Sequence, residues 1–101
     1  MHHDAVIIGG GFAGIAAAVK LADAGLRVAL VEKKAFLGGR AYSITDRKTG
    51  DRVDNGQHVL MGCYHQTFDL LNTLQTLAGI ALQPKLEVRY RGPKGFSDTL
   101  A

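Results

Sequence analysis

The chain has 101 residues, 47% of them hydrophobic, and a formal net charge of +3, so it has room for one small core and no more. Apolar residues run along its whole length and glycine (13) far outnumbers proline (2), which excludes a disordered or linker-rich array. Cys63 is the single cysteine, which rules out an internal disulfide or a multi-cysteine zinc site, and a reducing, cytoplasmic setting is expected.

The longest uncharged stretch, Ala5 to Val19, is shorter than the ~20 apolar residues a bilayer-spanning helix needs, and Gly9, Gly10, Gly11 and Gly14 interrupt it. Met1, His2, His3 and Asp4 precede it without the Lys or Arg of a signal peptide, so no export signal is expected. After Asp4, the run Ala5, Val6, Ile7, Ile8 is β-branched, too short for a helix and closed by glycines. It reads as the first strand of a parallel sheet, buried on both faces.

From Phe12 the spacing becomes helical, with Ile15, Ala18, Val19 and Ala22 on one face, Lys20 and Asp23 on the other, and Gly25 placed to end the segment. Leu26, Val28, Ala29, Leu30 and Val31 then form a second buried strand. Strand, helix and strand in this compass make a βαβ unit with a right-handed crossover.

The turn between first strand and helix is Gly9, Gly10, Gly11, Phe12, Ala13, Gly14, a GxGxxG sequence placed after a strand and opening a helix. Gly9 allows the tight turn, Gly11 lets backbone approach a pyrophosphate, and Gly14 lets the helix sit close to the strand. Phosphates then meet the helix N-terminus, where unpaired N–H groups and the helix dipole favour an anion. Glu32, at the end of the second strand, stands where an acid accepts hydrogen bonds from a ribose hydroxyl pair. Its charge repels a 2′-phosphate, which argues against NADP and leaves NAD and FAD. The competing reading is a glycine-rich turn in an unrelated α/β fold, with Glu32 merely solvated.

A nicotinamide dehydrogenase would usually continue with another amphipathic helix and a third parallel strand. Here Lys33 to Leu37 lead instead to Gly38, Gly39 and Arg40, and Ala41 to Thr45 alternate like a strand with one wet face. Lys48, Thr49, Gly50 and Asp51 make a hairpin turn. The glycine pair can bring a second stretch of backbone near a cofactor while Arg40 offers a positive fork to a phosphate, although such a triplet alone is also an ordinary loop.

The spacing from GxGxxG through Glu32 to Gly38, Gly39 and Arg40 resembles the N-terminus of the FAD-dependent amine oxidase and phytoene desaturase superfamily. The stretch VDNGQHVLMGCY, Val53 to Tyr64, is similar to the squalene-associated FAD-dependent desaturases, or hydroxysqualene dehydroxylases. The resemblance implies an α/β fold: a Rossmann-type FAD-binding βαβ unit followed by a β-hairpin and helix, part of a larger two-domain flavoprotein. It implies FAD as cofactor, bound by Gly9, Gly11, Phe12, Ala13, Gly14, Glu32, Lys33, Gly39 and Arg40, with Gly56, Gln57 and His58 toward the flavin ring. On residue chemistry alone, Gly56 can admit a flat ring and Gln57 and His58 can hydrogen-bond its polar edge, while a partly buried structural histidine is the plainer account of His58. His58, Cys63 and His65 lack a carboxylate or second cysteine at ligand spacing, so no metal site is expected.

Phe68, Leu70, Leu71, Leu74, Leu77 and Ala78 follow helical spacing, ended by Gly79, and read as packing or, less simply, as the lining of a hydrocarbon channel. Leu86 to Arg91 and Phe96 to Leu100, around Gly92, Pro93, Lys94 and Gly95, form a hairpin of a substrate-binding sheet. Lys85, Arg89, Arg91 and Lys94 suggest a solvated strand face or a membrane-surface contact, and no nucleic-acid motif accompanies them.

Residues 1–62 are thus expected to be the N-terminal part of an FAD-binding domain, and 63–101 the start of a truncated substrate domain. The resemblance implies redox chemistry on an isoprenoid lipid, narrowly the reductive loss of water from hydroxysqualene to give squalene for hopanoid synthesis. Carotenoid desaturation, amine oxidation and a non-catalytic nucleotide-binding or oligomerising module are the alternatives. No Ser/His/Asp, Cys/His or paired-carboxylate arrangement is legible, so no catalytic residue is named, and the fragment alone is expected to be inactive, to bind FAD weakly or to self-associate. The parent is expected in the cytoplasm, either free or peripheral to the inner membrane.

Overall fold

A computed structural model describes residues 2–56, 58–95 and 97–100. The chain divides into two compact units, one ending at Tyr64 and the other beginning at His65.

In the first unit, β1 (Ala5–Ile8) pairs in parallel with β2 (Val28–Val31), in register from Ala5↔Val28 to Ile8↔Val31. Helix α1 (Phe12–Asp23) connects them and packs on both strands, the expected βαβ unit. Asp4 closes the near end of the pair: its N–H donates to the Arg27 carbonyl at 2.8 Å, and its carboxylate accepts from the Arg27 N–H at 2.8 Å. At the far end the Gly9 N–H donates to the Val31 carbonyl at 2.8 Å. The helix ends at Ala24, and Gly25 takes a φ of +86° that a side chain would resist.

Burial corrects the sequence reading of β1. The strand is not covered on both faces: Ala5 and Ile7 are half-buried under the helix, while Val6 and Ile8 on the other side are 62% and 87% exposed. Strand alternation puts the two sets on opposite faces, and a single helix covers one. On α1, Ile15, Ala18 and Val19 lie on the covered side as expected, but Ala22 is exposed and Leu21 takes its place. Leu21 continues the Gly14, Ala18 ridge at helical spacing, so the packed stripe runs along that row.

Beyond β2 the chain forms an antiparallel hairpin of β3 (Ser43–Thr45) and β4 (Arg52–Asp54), shorter than the Ala41–Thr45 strand expected. Asp46 organises its turn: the carboxylate accepts from the Lys48 N–H and the Thr49 hydroxyl, and the Asp46 carbonyl accepts from the Gly50 N–H.

In the second unit, α2 (His65–Thr73) starts three residues before the segment expected from Phe68 and stops short of Leu74. Gln75 adopts a φ of +58°, and the Thr76 N–H reaches back to the Leu71 carbonyl, so the chain turns out of the helix. Leu77–Gly79 is a separate 3₁₀ turn, which accounts for the continued helical spacing without a continuous helix. The expected terminal hairpin is present as β5 (Val88–Arg91) paired antiparallel with β6 (Ser97–Leu100), and Phe96 lies outside the described residues. Arg89, Arg91 and Lys94 are exposed, with Arg89 held 2.8 Å from Glu87. No helix among the described residues is long and apolar enough to cross a membrane.

Candidate dinucleotide-binding site

The βαβ unit builds one groove at the C-terminal ends of its two strands, the end at which open α/β sheets bind ligands. Its floor is the glycine turn and first turn of α1: Ile8, Gly9, Gly11, Phe12, Ala13 and Gly14. One wall is Glu32, Lys33 and Lys34 after β2, and the other is Gly38, Gly39, Arg40 and Ala41.

One glycine of the turn is there because backbone passes backbone, and another because of its positive φ. A Cβ on Gly14 would fall on the Gly9 carbonyl oxygen, so the helix can begin this close to the strand only with hydrogen at that position. Gly9 itself takes a φ of +102°. Gly11 caps α1 with extended backbone, and no side chain caps that helix. The first helical bond runs from the Ile15 N–H to the Gly11 carbonyl, so the N–H groups of Phe12, Ala13 and Gly14 precede the ladder and face the open end. With no acid in the first turn, the positive end of the helix is free for an anion.

The Gly38, Gly39, Arg40 loop is folded against this turn. The Gly38 N–H donates to the Gly10 carbonyl at 2.7 Å, and a Cβ on Gly39 would come within 3.1 Å of the Gly11 Cα. Gly38 has a φ of +117°, and a Cβ there would also press to 2.8 Å on the Ala41 carbonyl. The second glycine pair therefore lays its backbone across the first, and Arg40, which follows that crossing, lines the groove.

Glu32 is half-buried, and both its oxygens are engaged: Oε2 accepts from the Gly10 N–H at 2.7 Å and Oε1 from the Lys34 N–H at 3.0 Å. The N–H groups of Lys34 and Gly10 hold its carboxyl below the ordinary value of 4.5, so it is charged at neutral pH. A carboxylate has about four lone-pair sites, and two backbone donors leave acceptor capacity for a ribose hydroxyl pair. The Lys34 ammonium lies 5.5 Å from the Phe36 ring centre and 5.7 Å from that of Tyr42, and the two rings are 5.7 Å apart.

Nine residues named from sequence, Gly9, Gly11, Phe12, Ala13, Gly14, Glu32, Lys33, Gly39 and Arg40, converge on this groove. Gly56 and His58 do not line it, and Gln57 lies outside the described residues. Gly56 has a φ of +73° and open space where a Cβ would stand. His58 Nδ1 stands 3.7 Å from Asp54 Oδ2, and Asp54 also accepts the Ser43 hydroxyl across the hairpin. Sequence reasoning passed over Gly10, Lys34 and Asn55. Gly10 occupies a position the glycine pattern leaves free, and that excess glycine was the available signal. Among the described residues, no three His, Cys, Asp or Glu side chains gather as for a metal ion.

A pyrophosphate-bearing dinucleotide fits these features: backbone bare of Cβ at the turn, an uncapped helix N-terminus, an arginine on one wall and, on the other, an acid followed by two lysines. Fold and groove together define a dinucleotide-binding Rossmann-type unit. The chain belongs to the NAD(P)-binding Rossmann-like domain family, whose model matches residues 7–74. It is 39% identical over 77 residues to zeta-carotene desaturase of Synechocystis, covering 76% of this chain and 16% of that protein. It is 42% identical over 74 residues to hydroxysqualene dehydroxylase of Rhodopseudomonas palustris, covering 73% and 18%. A solved putrescine oxidase bound to putrescine superposes with a TM-score of 0.71 at 27% identity, over 100% of this chain and 22% of that one. The chain thus spans less than a quarter of each of these proteins. They belong to the FAD-dependent desaturase and amine oxidase superfamily that the sequence resembles, and FAD is the dinucleotide of that lineage.

Proposed function

We propose that this chain forms the ADP-binding cradle of a flavin-dependent oxidoreductase that acts on an isoprenoid lipid, with hydroxysqualene as substrate and squalene as product. The observation that supports it is the meeting of the Gly9–Gly14 turn, Glu32 and the Gly38–Arg40 loop in one groove, in a chain similar to a hydroxysqualene dehydroxylase over 74 residues. In this reading the helix N-terminus and Arg40 hold the pyrophosphate, and Glu32 accepts the adenosine ribose hydroxyls. FAD supplies the redox capacity, and the chain's own residues bind and orient it. Gly56, Gln57 and His58 are assigned to the flavin side, and the parent works against the membrane surface from which such a lipid is drawn.

Titration of the purified chain with FAD, NAD and NADP, followed by flavin fluorescence and melting temperature, tests the cradle. Saturable FAD binding that Glu32→Arg abolishes supports the reading, and preference for NAD overturns it. The similarity to zeta-carotene desaturase favours a second reading, desaturation of a carotenoid precursor. The FAD-loaded parent, offered hydroxysqualene and zeta-carotene in turn, separates the two.

A further inference from the structure

We propose that Glu32 is a positioning residue for the glycine turn, clamping the Gly10 peptide so that the turn holds its phosphate-binding shape before any dinucleotide arrives. This rests on the dinucleotide-binding reading of the groove and adds a structural task to the ribose contact.

Gly10 is the one buried residue among those whose burial is described. Its N–H donates to Glu32 Oε2 at 2.7 Å, and its carbonyl accepts the Gly38 N–H at 2.7 Å. A Cβ on Gly10 would meet the Leu37 side chain at 2.5 Å and Glu32 Oε2 at 3.1 Å, so the peptide is roofed as well as bonded. The carboxylate is itself aimed by its second bond, from the Lys34 N–H to Oε1. One side chain therefore ties the turn after β1 to the chain leaving β2, with the Gly38 loop bonded to the carbonyl of the same residue, on the next peptide. A buried N–H that loses its acceptor is costly, so the turn relaxes if the clamp is removed. The arrangement specifically requires a carboxylate: glutamine has one acceptor oxygen and would set its NH₂ against one of the two N–H donors.

The test uses the 101-residue chain with ADP and 2′,3′-dideoxy-ADP as probes, together with the ¹⁵N–¹H signal of the Gly10 amide without nucleotide. In the wild type that amide is expected downfield and slow to exchange. Glu32→Gln is expected to move it upfield, speed its exchange, and weaken dideoxy-ADP binding by roughly tenfold or more, the scale of one lost charge-assisted hydrogen bond. Glu32→Asp retains charge and both oxygens, and is expected to restore part of the amide protection; it also serves if Glu32→Gln does not fold.

An unchanged Gly10 amide in both variants overturns the proposal. So does dideoxy-ADP binding that is equal in wild type and variants while ADP binding falls, because Glu32 is then a ribose acceptor only. If neither probe binds the wild type, the dinucleotide reading fails, and the Gly10 amide alone still decides whether the clamp exists.

Discussion

Asn55 holds Arg40 by its backbone: the side-chain amide donates to the Arg40 carbonyl at 3.0 Å while the Asn55 N–H donates to the Tyr42 carbonyl at 2.8 Å. The residue after β4 thus ties down the loop that brings Arg40 to the groove, and two sequence motifs 15 residues apart become one local structure. Asn55→Ala is expected to cost about 0.5–1.5 kcal/mol, since the bond is exposed. Asn55→Asp should be worse, because it sets a carboxylate against a carbonyl. Urea denaturation compares the stabilities, and FAD titration shows whether a loosened Arg40 weakens binding; an effect on neither would mean the tie is idle.

Gly14→Ala should be among the most damaging single-methyl additions in the chain. The new Cβ meets the Gly9 carbonyl, a backbone atom that cannot swing aside. Overpacking of about 1–3 kcal/mol is the floor, which in a domain this small lowers the melting temperature by roughly 10 °C. Gly62→Ala is the control: it has open space and no positive φ, and should melt like the wild type.

Acid should weaken the first unit through Glu32 and Asp46. Lys34 and Gly10 N–H groups lower the Glu32 carboxyl from 4.5, and the Lys48 N–H with the Thr49 hydroxyl lowers Asp46 from 3.8. A group whose folded value is depressed contributes stability that is complete above its unfolded value and is lost as pH falls through the folded one. Melting temperature is therefore expected to be insensitive to these groups near neutrality and to fall below about pH 4.5. Glu32→Gln should flatten the upper part of that decline, and an unchanged profile would contradict the assignment.

Lys34, Phe36 and Tyr42 should be energetically coupled. At this exposure a cation over a ring is worth about 0.5–1 kcal/mol. A double-mutant cycle of Lys34→Gln and Tyr42→Leu measures the pair, and a coupling of zero would show that the ammonium rests there without holding the loop.

The βαβ unit was readable because its signals are local and agree: a β-branched run, a glycine turn, helical spacing from Phe12, and an acid after the second apolar run. The meeting of Gly39 with Gly11 was half-legible, since a second glycine pair implies a close approach without saying to what. Gly10 was hidden, because its burial comes from Leu37 and Glu32, both more than 20 residues away, and spacing carries no such information. The boundaries of α2 were misread for a different reason: Gln75 leaves the helix at a positive φ that its residue type does not announce. Exposure of Val6 and Ile8 could not be foreseen either, since an apolar run has the same composition whether one face or two are covered.

The Asp4–Arg27 exchange, at the end of the sheet away from the groove, has a consequence for alignment fidelity. Parallel strands of four residues are short enough to slide, and a slip of one residue turns every side chain of a strand to the opposite face. Slipped by one, β2 would turn Glu32 to the opposite side and bring Val31 or Lys33 to its place beside Gly10. The reciprocal bonds of Asp4 and Arg27 mark the zero of that scale, so a solvent-exposed pair worth little in stability governs whether the acid at the other end arrives in place.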